Sequence, residues 1–255
     1  MKELICDFHI HTLLSPCGEI EMTPHHIVMR AAEYGIGAIA ITDHNASGNI
    51  PAALIAGEKY GVKVLPGMEV ECAEEAHLVV LFDTLKQMNA WQDIIDKARG
   101  GALNIPEKFG AQFVVDAQDN FVKEEKKLLL GPGKISALEV IEKCHALGGI
   151  CIAAHIDRPS YSLLGQLGFL ENGYGLDAAE ISPINQKELK EEKLKPLVGG
   201  LPYITNSDAH RINDFIEGPK NYLLVEEITV KEIGFALAGQ KGRILKPGQF
   251  VGKKC

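Results

Sequence analysis

Short apolar runs rich in β-branched residues recur along the chain at Leu4–Phe8, Ala38–Ile41, Val62–Leu65, Leu78–Phe82, Ile150–Ala153, Ala178–Ile181, Tyr203–Thr205 and Tyr222–Val225. Between most of them the apolar positions spread to a helical period, and this alternation predicts an α/β architecture. Helix limits are marked locally. Thr23-Pro24 opens a segment that Gly35 closes, while Ser136-Ala137-Leu138-Glu139 and Thr229-Val230-Lys231-Glu232 read as capping boxes, with Gly148 and Gly239 as the stops.

Polar residues able to bind metal follow the strands that begin at Leu4, Ala38, Val62, Ile150 and Tyr203. Side chains from so many strands meet only where those strand ends share one face, as they do in a closed or nearly closed barrel. One connection breaks simple β/α repetition. Glu71 to Ala76 is too short to hold a crossover helix, so the strand from His77 is expected to run antiparallel to its predecessor and to place His77 near Glu69. Between about residues 106 and 132 the texture changes again. Gln112–Val115 and Val122–Glu124 flank a polar turn and predict a β-hairpin insertion, either a cover over the site or a solvated excursion.

With 255 residues, 46% of them apolar, and no linker or internal repeat, one domain spanning residues 1–255 is expected. No apolar run approaches the ~20 residues of a membrane span, and Met1-Lys2-Glu3 leads into no signal-peptide core, so a soluble, cytoplasmic chain without membrane partners is expected. The six cysteines form no C-x-x-C pair, which argues against a zinc ribbon or dithiol redox motif. A net charge of −8 lacks the broad basic footprint of a binder of long nucleic acid. The mixed charges of Lys187–Lys193 read as an exposed helix face.

Six of the nine histidines lie in patches with acidic residues: Asp7-x-His9-x-His11, Thr42-Asp43-His44, Gly67-x-Glu69, His77, His155-x-Asp157-Arg158 and Ser207-Asp208-Ala209-His210. Imidazole with carboxylate suits Zn, Mn or Fe, and ligand type alone does not choose among them. On a strand, His9 and His11 would emerge on one face. His25, His26 and His145 fall on predicted helices and read as surface residues.

At these motifs, in this order and over nearly the whole chain, the sequence resembles the PHP (polymerase and histidinol phosphatase) family. The resemblance implies a distorted (β/α)7 barrel carrying two or three divalent ions. It also implies a ligand set in which His9, His11, Glu69 and Asp208 hold one ion, and Glu69, His77 and His155 hold a second, with Glu69 bridging. His44, His210 and position 17 would take the third. That position is Cys17, where relatives commonly carry His or Asp; either its thiolate keeps the site with softer chemistry, or Cys17 is a spectator and Glu19 or water completes a weak site.

Around this set, Asp43 is a candidate for steering a proton or orienting a histidine, Arg158 for clamping phosphate, and Glu180 for lining the pocket. The expected reaction is hydrolysis of a small phosphate ester or nucleotide by a metal-bound hydroxide. This fits the absence of a G-x-S-x-G elbow and of a P-loop. The competing readings are a nuclease limited to short oligonucleotides, an amidohydrolase-type enzyme, and a metal-stabilised binding or regulatory module without catalysis.

Overall fold

Each of the eight apolar runs contains or becomes a strand in the computed structural model, which describes residues 1–168, 174–183 and 197–252. The Lys187–Lys193 segment lies outside the described residues. The strands are β1 (Lys2–Asp7), β2 (Ile36–Ile41), β3 (Lys63–Glu71), β4 (His77–Leu81), β5 (Phe113–Val115), β6 (Phe121–Glu124), β7 (Ile150–Ala153), β8 (Ala178–Ile181), β9 (Tyr203–Thr205), β10 (Lys220–Val225) and β11 (Ile244–Gln249). The described helices are α1 (Pro24–Tyr34), α2 (Ile50–Tyr60), α3 (Leu85–Ala98), α4 (Pro106–Phe109), α5 (Ala137–Ala146), α6 (Leu163–Leu167), α7 (Ile212–Glu217) and α8 (Val230–Leu237). None of them is long and apolar enough to cross a membrane.

Local chemistry sets the helix ends. Thr23 Oγ1 caps α1 by accepting from His26 N, and Gly35 closes it at φ 72°. Ser136 and Glu139 complete a reciprocal capping box on α5. At α8 only half of the expected box forms: Thr229 accepts from Glu232 N, while the Glu232 carboxylate is taken by Glu226 N and the Arg243 guanidinium.

Nine strands form one sheet in the order β11-β10-β1-β2-β3-β4-β7-β8-β9, curled into a nearly closed barrel. The sheet forms the expected distorted barrel and carries two strands beyond seven, β10 running antiparallel to β1 and β11 antiparallel to β10. Those two strands approach β9 across the seam through polar groups. Asn221 Nδ2 donates to Thr205 O at 2.7 Å, Thr205 N to Asn221 Oδ1 at 3.0 Å, and Gly248 N to Thr205 Oγ1 at 2.8 Å. As expected, β4 is antiparallel to β3, with Glu71 opposite His77.

The period of two sorts the strand residues. Ala38, Ala40, Leu65, Val79, Leu81, Ile150, Ile152, Ala178 and Leu223 belong to one buried cluster inside the sheet, joined by Val230, Ile233 and Ala236 of α8. Their neighbours Ile39, Ile41, Val64, Leu78, Val80 and Ala179 pack in a second cluster with the helices. Glu69 and Glu180 share the parity of Leu65 and Ala178, so the alternation that packs the interior also carries two carboxylates into it.

The insertion is a two-stranded sheet of its own, β5 against β6, preceded by α4. It lies on the loop that follows His11: Phe113 N donates to Leu13 O at 3.1 Å, and Val114 and Leu129 pack with Leu14 and Ala46.

Candidate metal centre

Glu69, at 1% exposure, is the hub of the site. Its Oε1 lies 2.9 Å from His77 Nδ1, 3.1 Å from His155 Nε2 and 3.3 Å from His9 Nε2, and its Oε2 lies 2.9 Å from His44 Nδ1 and 3.2 Å from His11 Nε2. Five imidazoles from four separate segments thus surround one carboxylate. Asp208 Oδ1 completes the arrangement at 3.4 Å from His9 Nε2 and 3.3 Å from His11 Nε2.

His9 and His11 do not lie on a strand, since β1 ends at Asp7. The loop beyond it is held by the bridge of Ile10 to Ala209 and by Thr42, whose hydroxyl accepts from Ile10 N at 2.9 Å. Their Nε2 atoms nevertheless converge to 3.2 Å. Two other site residues occupy the left-handed region, His155 at φ 26° and Asp208 at φ 47°, a backbone cost that non-glycine residues carry chiefly at functional positions.

The surrounding hydrogen bonds decide which ring nitrogens face inward. Ser15 Oγ donates to Asp43 Oδ1 at 2.7 Å, so its lone pairs receive His11 Nδ1–H at 3.0 Å and His44 N–H at 3.1 Å. His9 Nδ1–H donates to Glu180, and His210 Nδ1–H donates to the Asp208 carbonyl at 2.9 Å. Each of these rings is left with an Nε2 lone pair for an ion, the arrangement by which outer partners orient metal-binding histidines.

Two of the expected catalytic residues therefore sit behind the site. Asp43 accepts from Thr12 N, Thr12 Oγ1 and Ser15 Oγ, each at 2.7 Å, and acts on His11 and His44 through Ser15. Glu180 is fully buried, bound to His9 Nδ1, His155 N and Asn206 Nδ2, and so does not line the pocket. Arg158 does reach the site, and its partner is Asp208 Oδ2 at 2.6 Å rather than the adjacent Asp157. Asp157 instead accepts from Ser182 N and Oγ.

Three groups bring donor atoms within 4.8 Å of one another: His9, His11 and Asp208; His44, Glu69 and His77; and His11, His44 and His210. The last differs from the expected third set, because His11 joins His44 and His210 while Cys17, an exposed thiol beside the His44 ring, stands outside it. The donors fit divalent ions on two further grounds. Burial leaves His77 Nε2 and His155 Nδ1 without a hydrogen-bond partner. The donors are also the imidazole and carboxylate atoms that Zn, Mn and Fe accept.

Sequence reading missed several residues. Glu71 shares the inward parity of Glu69, and its Oε2 lies 3.8 Å from His77 Nε2, so the period of two on β3 was enough to find it. Ser15, Thr12 and Asn206 carry no sequence signal, since their roles depend on partners distant along the chain. His25, His26 and His145 stay away from the site, bound to Tyr60, the Glu21 carbonyl and Asp177.

Burial opposes charge in the cluster, yet mutual attraction prevails at His9, His11, His44, Glu69, His77 and Asp208. Desolvation is outweighed by Glu180, Asp208 and Glu69 at His9, and by Glu69 at His77, whose pKa is pushed up to about 9. Glu69 and Asp208 are held well below the usual carboxylate range by the facing histidines, despite burial. Burial and the nearby His11 push His210 down to about 3, so its ring is neutral. An incoming cation must therefore displace protons from the raised histidines, and metal affinity is expected to rise with pH through neutrality toward about 9. Calorimetric titration with Mn in two buffers of different ionisation enthalpy measures the protons released; a count of zero at pH 7 would contradict this.

Residues 7–130 match the family model of the PHP domain. Over those residues, just under half of its length, the chain is similar to the PHP domain. A PolC-type DNA polymerase III from Caldanaerobacter subterraneus is 26% identical over 221 residues, 77% of this chain and 16% of the polymerase. The lesion-specific endonuclease EndoQ of Pyrococcus furiosus superposes with a TM-score of 0.67 at 21% identity, over 96% of this chain and 58% of the endonuclease. A putative metal-dependent phosphoesterase from Bifidobacterium adolescentis gives 0.56 at 20% identity, over 81% and 87% of the two chains. At these identities the structural likeness concerns the PHP fold, and the chain spans only part of the polymerase and the endonuclease.

Proposed function

We propose that this chain is a metal-dependent phosphoric ester hydrolase acting on a small phosphate ester or nucleotide. The observation that carries the reading is the Glu69 hub, with its five imidazoles and Asp208, opening beside a cavity of about 460 Å³ lined by Cys17, His44, His77 and Tyr161 among others. That volume falls in the range of small-molecule sites, roughly 300–1,000 Å³.

His9, His11, Glu69, His77, His155 and Asp208 would hold two ions, with His44 and His210 available to a third. When bound, Zn, Mn or Fe supplies Lewis-acid polarisation of water and of phosphate oxygens. The chain's own residues do the rest. Ser15, Asp43 and Glu180 keep the ring nitrogens aimed inward, and the Arg158 guanidinium, one-third exposed beside Asp208, offers its remaining N–H groups to a phosphate oxygen. The similarity to EndoQ and PolC supports a second reading, a nuclease on short oligonucleotides, which differs in cleaving a diester.

Rates on a model phosphomonoester and a model phosphodiester, after loading with Mn, Fe or Zn, separate the two. Monoester turnover should dominate, and Asp208→Ala should lower it at least about a hundredfold, since removing even outer partners of metal ligands costs 10–100-fold. Turnover that survives Asp208→Ala sinks the site assignment. Metal binding without hydrolysis of either ester would favour a binding module.

A further inference from the structure

The cavity beside the centre has walls that metal binding leaves unexplained. Tyr161 is 50% exposed, and its ring lies 5.0 Å from the His77 ring at an angle of 34°. The ring thus packs against the imidazole, and half of the residue's surface remains exposed where it lines the cavity. Its backbone is fixed: Tyr161 O accepts from His77 N at 2.9 Å, a bridge joins it to Ala76, and φ is 58°. A bulky residue holds that conformation only where its surroundings impose it.

Leu130, Gly131 and Pro132 line the same cavity. This strap is pinned at both ends, since Asn45 Nδ2 donates to Leu129 O at 2.9 Å and Gly131 N donates to Glu71 Oε2 at 2.8 Å. Gly133 N adds a bond to Glu71 O at 3.0 Å. A preformed aromatic face and an apolar strap suit a planar group. Glu71 and exposed Glu75 on the cavity wall exclude a phosphate from that end and accept hydrogen bonds instead. The groups that attract phosphate belong to the Glu69 centre: His44 and His77 line the cavity and contact Glu69, and Arg158 pairs with Asp208.

We propose that this cavity is a nucleoside subsite. The base of a nucleoside monophosphate stacks on Tyr161 beside the Leu130–Pro132 strap, Glu75 accepts from a sugar hydroxyl or base amino group, and the phosphate faces the Glu69 centre. The assignment rests on the hydrolase reading above and narrows its substrate class. Tyr161 sets specificity through affinity, and glycerol phosphate, which has no ring to stack, gains nothing from it.

The test compares the Mn-loaded wild type with Tyr161→Ala, Tyr161→Leu and Tyr161→Phe on adenosine monophosphate and glycerol phosphate. Stacking of one base corresponds to roughly 5- to 150-fold in affinity, so Tyr161→Ala should raise KM for the nucleotide about tenfold or more with kcat changed less than about threefold. KM for glycerol phosphate should not move, and Tyr161→Phe should restore the wild-type value. Tyr161→Leu keeps an apolar cover on His77 without a π face, so it should behave as Tyr161→Ala with its metal content intact. Equal shifts for both esters, or no shift for either, overturn the subsite. Calorimetric binding of adenosine monophosphate to the same proteins separates the two ideas. Tyr161-dependent binding without turnover of either ester removes the hydrolase reading and keeps the subsite; turnover of both esters indifferent to Tyr161 does the reverse.

Discussion

Glu69→Gln is expected to abolish loading of the paired ions and to lower phosphate-ester turnover by well over about a hundredfold, more than the loss of an outer partner causes. Glutamine preserves the shape of the side chain, so the effect isolates charge and donor type. Both Glu69 oxygens are in use, Oε1 toward His77, His155 and His9 and Oε2 toward His44 and His11, and an amide turns one of them into an N–H₂ that repels a cation. The ion-free protein should respond as well. Glu69 helps raise the pKa values of His9, His11, His44 and His77 against the burial that lowers them, so without its charge those rings bind protons less readily. Elemental analysis and imidazole titration by NMR read the two effects separately. Wild-type metal content in the variant would remove Glu69 from the bridging position.

Most of this centre could be read from the chain because each ligand lies near the end of a strand, follows one closely or, like His77, opens one. The β-branched runs place their own ends, and the short Glu71–Ala76 link gives the antiparallel turn that brings His77 opposite Glu71. What stayed hidden depends on contacts across the barrel. Strand β11 reads Ile-Leu-Lys-Pro-Gly-Gln, whose proline and glycine are tolerated because it lies at the end of the sheet order, a position no local pattern reveals. Glu180 was legible as a carboxylate at a strand end, but only its partners in the His9 loop and at Asn206, just beyond β9, show it spent on orientation. The expectation for Cys17 rests on its place in a motif and its thiol does lie beside the His44 ring, while the further ring that groups with His44 and His210 is His11, 33 residues before His44 and held there by Ser15.

The largest effect on stability is expected beneath the site, at Lys220→Met. Lys220 and Asp7 are both fully buried, with Nζ 3.2 Å from Asp7 Oδ2, while Asp7 Oδ1 accepts from His9 N and Ser207 N. The pair thus ties the His9 loop to the loop that carries Asp208. Removing one member of a buried pair leaves the other unpaired and costs about 3–5 kcal/mol, whereas removing both is often close to neutral. Urea unfolding of the ion-free protein should show that loss for Lys220→Met and recovery of most of it in Asp7→Asn/Lys220→Met. The pH dependence carries a definite sign. Burial raises the Asp7 pKa, and Lys220 is the main force opposing it, so in Lys220→Met it rises further. A carboxyl whose folded pKa exceeds its unfolded value favours the fold below the unfolded pKa and loses that contribution as pH rises through the folded value. Lys220→Met should therefore be least destabilised in acid and fall further behind the wild type as pH increases. A deficit that is flat with pH, or a double variant no better than the single, would mean that Lys220 acts through its packing over the Phe215 ring, 5.3 Å from Nζ, rather than through Asp7.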